Sequence, residues 1–231
     1  MNTMTTLMNP ESAPRPQDRI ILALDVDTLN SALEWVERTR GLVGAYKVGL
    51  QLFSRVGPRA VAEIRMKGVE VMLDLKLHDI PNTVAQAVRA VSVLGPKFLT
   101  VHAAGGGEMI RAALREAGEM RVVAVTVLTS LNATEADVLV FARVAYESGV
   151  RAFVASAWEA GPLRRTFPGS IIITPGVRPA GALAHDQARV ASPRDAIAAG
   201  ADYVVVGRPV IESENPVETL QTIATQIAAP N

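Results

Sequence analysis

The sequence contains no cysteine, and this absence removes several kinds of chemistry at once. Disulfide bonds, thiolate metal sites and a cysteine nucleophile are all excluded. The three histidines, His78, His102 and His185, are scattered along the chain, and no two of them stand at metal-ligand spacing. The side chains that most often hold a transition metal are therefore either missing or dispersed.

The chain also lacks an excess of charge and a long apolar run. Lysine and arginine together number 23, aspartate and glutamate together number 23, and the formal net charge at pH 7 is zero. A chain without a net positive field gives no indication of binding to nucleic acid or to a membrane surface. The apolar runs are too short to cross a bilayer. We therefore expect no nucleic-acid partner and no membrane association.

The first 18 residues, MNTMTTLMNPESAPRPQD, differ in composition from the rest of the chain. They contain three prolines and no basic segment followed by an apolar one, so they do not resemble a signal peptide. We expect 1–18 to form a flexible polar tail, 19–231 to form one catalytic domain, and the protein to be cytoplasmic. With 231 residues, 49% of them apolar, the chain can bury the core of one large domain.

From residue 19 onward, short β-branched segments alternate with segments of helical spacing. Such an alternation predicts parallel strands that are joined by crossover helices. Strands are predicted at 20–25, 44–49, 69–76, 97–103, 121–128, 151–156, 170–175 and 202–207. Helices are predicted at 29–40, 57–67, 83–93, 107–117, 134–148, 193–199 and 216–228. Two helix starts carry a clear signal, because Thr134 stands three residues before Asp137 and Ser192 precedes Pro193.

Eight strand–helix units fit a closed (β/α)8 barrel, the TIM barrel, and an open doubly wound sheet is the alternative. Closure is favoured because the repeats are even and no insertion as large as a second domain interrupts them. The first strand continues into ALDVDTLN rather than into a GxGxxG turn, which argues against a dinucleotide-binding open sheet. We therefore predict a single α/β TIM barrel with its active site at the C-terminal ends of the strands.

The segment DLKLHDIPNT, residues 74–83, concentrates opposed charges at the end of the third strand. Alternate side chains of a strand point to opposite faces, so Asp74 and Lys76 share one face and the neighbouring leucines share the other. Because the leucine face must meet the helices, the charged face points into the barrel mouth. Lys47 on the adjacent strand can lie beside it. Asp74, Lys76, Lys47 and Asp79 could form a chain of alternating charges.

Such a chain of charges has a chemical use. Ammonium groups beside carboxylates favour the ionised forms of both. A substrate carboxylate held about 4 Å from a fixed aspartate would experience a repulsion on the order of 4 kcal/mol at moderate dielectric. Departure of that carboxylate as CO2 relieves the repulsion, and an adjacent ammonium can protonate the carbanion left behind. The alternatives are a structural ion-pair network at the barrel rim and, for Asp79, a role in capping the next helix.

Two further segments indicate a phosphate site. TPGVRP follows the seventh strand and VVGRPV follows the eighth, which are the positions where many barrels bind phosphoryl groups. Gly207 allows the backbone to approach an anion, and Arg208 can pair with it. The alternative is a glycine turn beside a solvated arginine. By itself this pattern indicates only a phosphorylated ligand.

Residues 74–83 closely resemble the signature of the orotidine 5'-phosphate decarboxylases. The resemblance extends over nearly the whole chain from Arg19, through ALDVD, YKVG, TVHAAGG, TVLTS, TPGVRP and VVGRPV. The ten-residue signature is highly specific, whereas the phosphate segments occur in many barrels. The resemblance implies decarboxylation of orotidine 5'-phosphate to uridine 5'-phosphate and CO2 in de novo pyrimidine synthesis, with no cofactor and no metal.

The resemblance also implies roles for the residues that match. Lys76 would protonate C6 of the pyrimidine after CO2 leaves, Asp74 would press against the leaving carboxylate, and Lys47 would tie Asp74 to the ribose hydroxyls. The lysines interleaved with the carboxylates would compete with a divalent cation, so no metal is expected. The other implied substrate ligands are Asp25 at the ribose, Thr129 near the pyrimidine edge, and Arg178, Gln187, Gly207 and Arg208 at the phosphate.

The same resemblance implies a homodimer. Asp79, together with Ile80 and Thr83, would reach from one subunit into the active site of its partner. The loop 178–191 would close over the bound substrate, so that binding of the phosphate assists the reaction at the distant pyrimidine carbon.

Three other functions share parts of this pattern. A related barrel decarboxylase that acts on a sugar phosphate through a metal-held enediolate shares Asp-x-Lys-x-x-Asp, and here the following Ile-Pro-Asn-Thr and the GRP ending argue against it. A Schiff-base aldolase would use a strand lysine as its nucleophile. A non-catalytic phosphate-binding barrel would bind nucleotide without needing Lys76 for chemistry.

Overall fold

The computed structural model describes residues 14–128, 134–178 and 191–229. Within them, eight parallel strands pair in chain order and close into one barrel. The strands are β1 Ile20–Ala23, β2 Ala45–Gly49, β3 Val71–Leu77, β4 Phe98–His102, β5 Arg121–Val125, β6 Ala152–Val154, β7 Ile171–Thr174 and β8 Tyr203–Val206. The predicted TIM barrel is therefore confirmed, and most of its strands are shorter than predicted.

Helices surround the barrel, and each predicted helix is present. The described helices are α1 Leu29–Thr39, α2 Leu50–Val56, α3 Pro58–Arg65, α4 Pro81–Ser92, α5 Gly106–Glu116, α6 Glu135–Glu147, α7 Ala157–Thr166, α8 Pro193–Ala198, α9 Arg208–Ile211 and α10 Pro216–Ala228. Sequence patterns did not predict α2, α7 and α9. The first and last are short, and α7 contains Gly161 and Pro162, which usually interrupt a helix.

The two predicted helix starts are confirmed in atomic detail. Thr134 Oγ1 accepts a hydrogen bond from the N–H of Asp137 at 3.2 Å, and the Asp137 carboxylate accepts one from the N–H of Thr134 at 3.0 Å. Ser192 and Asp195 form the same reciprocal pair at the start of α8. Each pair satisfies backbone donors that the first turn of a helix leaves without partners.

The core has two layers, which follow from the alternation of side chains along the strands. One layer fills the space between the strands and the helices, and the other fills the inside of the barrel. Near the N-terminal ends of the strands, the Phe98 ring meets the Tyr203 ring edge to face at 5.6 Å, and the Lys97 ammonium lies 5.5 Å from the Phe98 ring. These side chains pack across the N-terminal end of the barrel and form the barrel floor.

The fold begins slightly before the predicted domain boundary. Pro16–Arg19 form a 3-10 helix that contacts α10, and Arg19 donates hydrogen bonds to the carbonyl groups of Ala201 and Asp202. Residues 16–18, which were expected to belong to the tail, thus form an ordered turn against the barrel. Across the described residues, no helix combines the length and apolarity that crossing a bilayer requires.

Replacing Phe98 by alanine tests the packing of the barrel floor. The ring is fully buried, so its loss should lower the free energy of unfolding by about 3–5 kcal/mol. Urea unfolding followed by circular dichroism measures this change. Val93→Ala is the control, because Val93 is 83% exposed and its truncation should cost less than about 0.5 kcal/mol. Equal effects of the two substitutions would contradict a packed floor.

Candidate active site

Strand β3 carries two charged side chains to the barrel mouth. Met72 lies in the layer inside the barrel, and Asp74 and Lys76 line the cavity above it. Leu73, in contrast, packs in the layer between strands and helices. The predicted division of β3 into an apolar face and a charged face is therefore confirmed.

The end of β3 is irregular in a way that the sequence did not predict. Between the pairs Leu73↔Leu99 and Leu77↔Val101, β3 advances four residues while β4 advances two, so β3 bulges. Lys76 lies within the bulge with φ of +50°, and it is the one non-glycine residue with positive φ in the described ranges. This left-handed conformation costs a side-chain-bearing residue about 1–2 kcal/mol. Surrounding contacts must therefore hold Lys76 in place.

Four charged groups alternate across the mouth. Lys47 Nζ lies 3.0 Å from Asp25 Oδ1 and 3.8 Å from Asp74 Oδ2, and Lys76 Nζ lies 2.7 Å from the same Asp74 oxygen. The side chains of Lys47 and Asp74 are only 12% and 10% exposed, whereas that of Lys76 is 29% exposed. The structure thus forms the chain Asp25–Lys47–Asp74–Lys76. Of the two lysine side chains, that of Lys76 is the more exposed.

Within one subunit, Asp79 does not lie in this chain of charges, which the sequence pattern had allowed it to join. Its side chain is exposed, it makes no ion pair among the described residues, and its Oδ1 accepts a hydrogen bond from the N–H of Ile80 at 2.6 Å. Helix α4 has no side-chain cap, so the alternative capping role is not observed either. The physical reason is that β3 ends at Leu77 and Pro81 already begins α4. Asp79 therefore lies in the short segment between β3 and α4 and not on the strand that carries Asp74 and Lys76.

A buried threonine that the sequence analysis missed connects the two charged residues of β3. Thr100 Oγ1 donates a hydrogen bond to Asp74 Oδ1 at 2.9 Å and accepts one from the N–H of Lys76 at 2.8 Å. A signal was present in the sequence, because Phe98, Thr100 and His102 alternate along β4 and therefore share its inward face.

A cavity of about 220 Å3 lies above Met72 at the mouth, and its two sides differ in chemistry. One side presents Lys47, Asp74 and Lys76. The opposite side is apolar and consists of Val125, Val127, Leu128, Val154, Pro175 and Val205. Such a cavity suits a ligand that carries charge on one edge and has a largely apolar body.

The residues predicted to bind phosphate are only partly described. Gly207 follows β8, and a Cβ atom at this position would lie 3.3 Å from the Ala23 Cβ and 3.7 Å from Asp25 Oδ2, so the β8 end closely adjoins the charge chain. Arg208 begins α9 and is exposed, and Arg178 is buried after β7. Thr129 and Gln187 lie outside the described residues, as does most of the loop 178–191.

The two histidines near the mouth pack against each other, with ring centroids 5.5 Å apart. Burial lowers the pKa of His102, and the charges of His78 and Lys76 lower it further. These effects favour the neutral form of His102. In the part of the chain that the structure describes, no three of the residue types His, Cys, Asp and Glu converge as they would around a metal ion.

A closed parallel barrel with ionisable side chains at the C-terminal ends of its strands defines the class of (β/α)8-barrel enzymes. The family model that matches this chain is described as "Orotidine 5'-phosphate decarboxylase / HUMPS family" and covers residues 18–223. The chain belongs to this family, and the resemblance seen in the sequence is confirmed.

Individual relatives support the family assignment. Orotidine 5'-phosphate decarboxylase of Anaeromyxobacter dehalogenans is 47% identical over 223 residues, which span 91% of this chain and 98% of the relative. The Thermobifida fusca enzyme of the same name is 46% identical over 90% of this chain and 95% of its own length. The crystal structure of orotidine 5'-phosphate decarboxylase from Lactobacillus acidophilus matches with a TM-score of 0.78 and 31% identity, covering 91% of this chain and 99% of that chain.

Gly49 is a second residue that sequence reasoning missed, because its importance depends on space. A Cβ atom at Gly49 would lie 2.7 Å from Lys47 Nζ and 3.3 Å from Asp25 Oδ1. The backbone φ of −95° is ordinary for alanine, and the clashing atom is the end of a flexible side chain. The missing Cβ therefore makes room for the Lys47–Asp25 ion pair.

We expect Gly49→Ala to fold normally but to displace the Lys47 ammonium from Asp25. The free energy of unfolding should change by less than about 1 kcal/mol, and catalytic activity should fall at least about tenfold. Urea unfolding, a steady-state assay and a crystal structure of the variant measure the three effects. Gly161→Ala in α7 is the matched control, since its Cβ would meet its nearest neighbour at 3.3 Å and away from the charge chain. Full activity of Gly49→Ala would contradict the expectation that activity depends on the position of the Lys47–Asp25 ion pair.

Proposed function

We propose that this protein decarboxylates orotidine 5'-phosphate to uridine 5'-phosphate and CO2, without a metal or another cofactor. The observation that carries the proposal is the chain Asp25–Lys47–Asp74–Lys76 at the edge of a cavity whose other side is apolar. The pyrimidine ring is flat and carries a carboxylate on one edge, which matches the two sides of this cavity.

Asp74 acts on the carboxylate of the substrate. Its own carboxylate is held by Lys76 at 2.7 Å, by Thr100 at 2.9 Å and by the more distant Lys47, so it is not free to turn away. A substrate carboxylate brought to about 4 Å would experience repulsion on the order of 4 kcal/mol. This repulsion is present in the bound substrate and disappears as CO2 forms, so it lowers the barrier to cleavage.

Lys76 supplies the proton. The bond between C6 and the carboxylate carbon breaks, CO2 departs, and the electron pair remains on C6. The Lys76 ammonium stabilises that pair and transfers a proton from Nζ, which forms the C6–H bond of the product. Lys76 is then reprotonated from water, which its 29% exposed side chain can reach.

The remaining groups bind the ribose and the phosphate. Asp25 accepts a hydrogen bond from Lys47 and, at 48% exposure of its side chain, retains acceptor capacity for ribose hydroxyls. Gly207 and Arg208 bind the phosphate at the end of β8. The proposal also assigns Arg178 and Gln187 to the phosphate and Thr129 to the pyrimidine edge. Closure of loop 178–191 over the phosphate would apply remote binding energy at C6.

The donor set supports a reaction without a metal. Among the described residues of one subunit, Asp25 and Asp74 are the carboxylates of the charge chain, and both already accept ammonium groups at 3.0 Å or less. A divalent cation would have to displace these lysines against their charge repulsion. A sugar-phosphate decarboxylase that works through a metal-held enediolate is the alternative, and chelation separates the two.

The first test is the ultraviolet absorbance of orotidine 5'-phosphate, which falls when the orotate chromophore is lost, in excess EDTA. We expect rapid turnover by the parent protein and at least about a thousandfold lower kcat for Lys76→Ala, because the proton donor is gone. Lys67→Ala is the matched control, since Lys67 is a surface lysine paired with Glu37. An inert folded parent would overturn the proposed function, and full activity of Lys76→Ala would overturn the mechanism.

We further propose that the protein works as a homodimer in which each subunit completes the partner's site. Ile80 is 65% exposed, and Asp79 and Thr83 are exposed beside it. Within one subunit Asp79 stands outside the charge chain. An exposed apolar side chain flanked by exposed polar groups is typical of an interface. Asp79, Ile80 and Thr83 would thus reach a substrate bound to the other subunit.

Hybrid dimers test this arrangement. Lys76→Ala and Asp79→Asn should each be nearly inactive alone. After subunit exchange, half of the dimers are hybrids, and one of the two sites in each hybrid contains both native residues, so activity should recover to about one quarter of the parent level. If Asp79 acted within its own subunit, no hybrid site would be intact. Absence of recovery, with exchange verified by mass spectrometry, would therefore contradict the shared site.

A further inference from the structure

One hydroxyl group connects the two residues on which the proposed reaction depends. Thr100 is fully buried on the inward face of β4. Its Oγ1 donates to Asp74 Oδ1 at 2.9 Å and accepts from the N–H of Lys76 at 2.8 Å. Neither contact follows from regular pairing between β3 and β4, because the bulge lies at this point of the ladder.

The contact with the backbone explains how Lys76 keeps its left-handed conformation. In a regular parallel ladder the N–H of a β3 residue would donate to a carbonyl group of its neighbour. At the bulge the Thr100 hydroxyl takes that place, so the N–H of Lys76 is not left without a partner. Lys76 can therefore keep its φ of +50° without losing the hydrogen bond of its N–H group. Its side chain reaches Asp74 from this conformation.

The contact with the carboxylate fixes the plane of Asp74. Lys47 and Lys76 both approach Oδ2, whereas Thr100 binds Oδ1. With only the ammonium groups, the carboxylate could rotate about its Cβ–Cγ bond while keeping one oxygen near the lysines. With the hydroxyl on the second oxygen, that rotation breaks a hydrogen bond. The face that Asp74 presents to a bound carboxylate is therefore set by three partners.

We propose that Thr100 is a positioning residue that orients Asp74 and Lys76 together. The expected effect of this residue on kcat rests on the proposed function. One oxygen atom must both donate and accept, which serine and threonine side chains can do. Valine has nearly the same shape as threonine but can do neither. The hydroxyl acts through Asp74 and Lys76 and does not itself touch the substrate.

The kinetic test compares Thr100→Val with Thr100→Ser. We expect Thr100→Val to lower kcat at least about tenfold while the dissociation constant of uridine 5'-phosphate changes by less than about threefold, because the product has no carboxylate for Asp74 to meet. Thr100→Ser should stay within about threefold of the parent in kcat. Thr126→Val is the control, since Thr126 is also buried and, among the described residues, its hydroxyl donates to the carbonyl of Val154 at 3.3 Å and not to the charge chain.

Three results would overturn the proposal. These are an unchanged kcat in Thr100→Val, a loss of product affinity as large as the loss in kcat, and a Thr100→Ser variant as impaired as Thr100→Val. The second and third would indicate a purely structural residue. If Thr100→Val fails to fold, the pair Thr100→Ala and Thr100→Ser supplies the same comparison at smaller side-chain volume.

A second measurement tests the coupling between Thr100 and Asp74 through stability and does not depend on catalytic activity. In a double-mutant cycle, urea midpoints are recorded for Thr100→Val, Asp74→Ala and the double variant. We expect the double variant to lose clearly less than the sum of the two single losses, since each single change breaks the same hydrogen bond. Additive losses would overturn the coupling. This readout holds even if the parent protein fails to decarboxylate orotidine 5'-phosphate, so failure of the two proposals can be told apart.

Discussion

The site depends on a carboxylate that is nearly buried and yet surrounded by hydrogen-bond donors. Asp74 is 10% exposed at its side chain, a situation that would cost several kcal/mol for an unpaired charge. Lys76 and Thr100 bind its two oxygens directly, and Lys47 lies 3.8 Å away. These partners come from β2, β3 and β4, so the barrel must close in the correct register before the carboxylate is satisfied.

The barrel architecture explains why charge and apolar surface meet in one small cavity. The ionic groups come from β2, from β3 and from the residues just after β1, whereas β5 to β8 and the residues that directly follow them contribute valines, a leucine and a proline. Parallel strands bring all of these side chains to the same end of the barrel, while Phe98 and Tyr203 close the other end. A ligand therefore enters from one direction, with its charged edge facing the lysines.

Much of the fold could be predicted because its signals are local. Alternation within β3 identified the charged face, and the Thr134–Asp137 pair identified the start of α6. The helices that were missed have weak local signals, since α7 contains a Gly-Pro pair and α9 spans only four residues. Tertiary packing against the barrel stabilises these helices despite their unfavourable composition.

The sequence by itself determined the strand–helix order, the family, and three members of the charge chain, Lys47, Asp74 and Lys76. These features depend on residue type and on spacing along a single element. The tertiary structure alone decided that Asp25, and not Asp79, pairs with Lys47 within one subunit, and that Thr100 spans the bulge. Both are contacts between residues more than twenty positions apart in the chain. Their geometry depends on barrel closure and on the positive φ of Lys76. No local pattern encodes either of them.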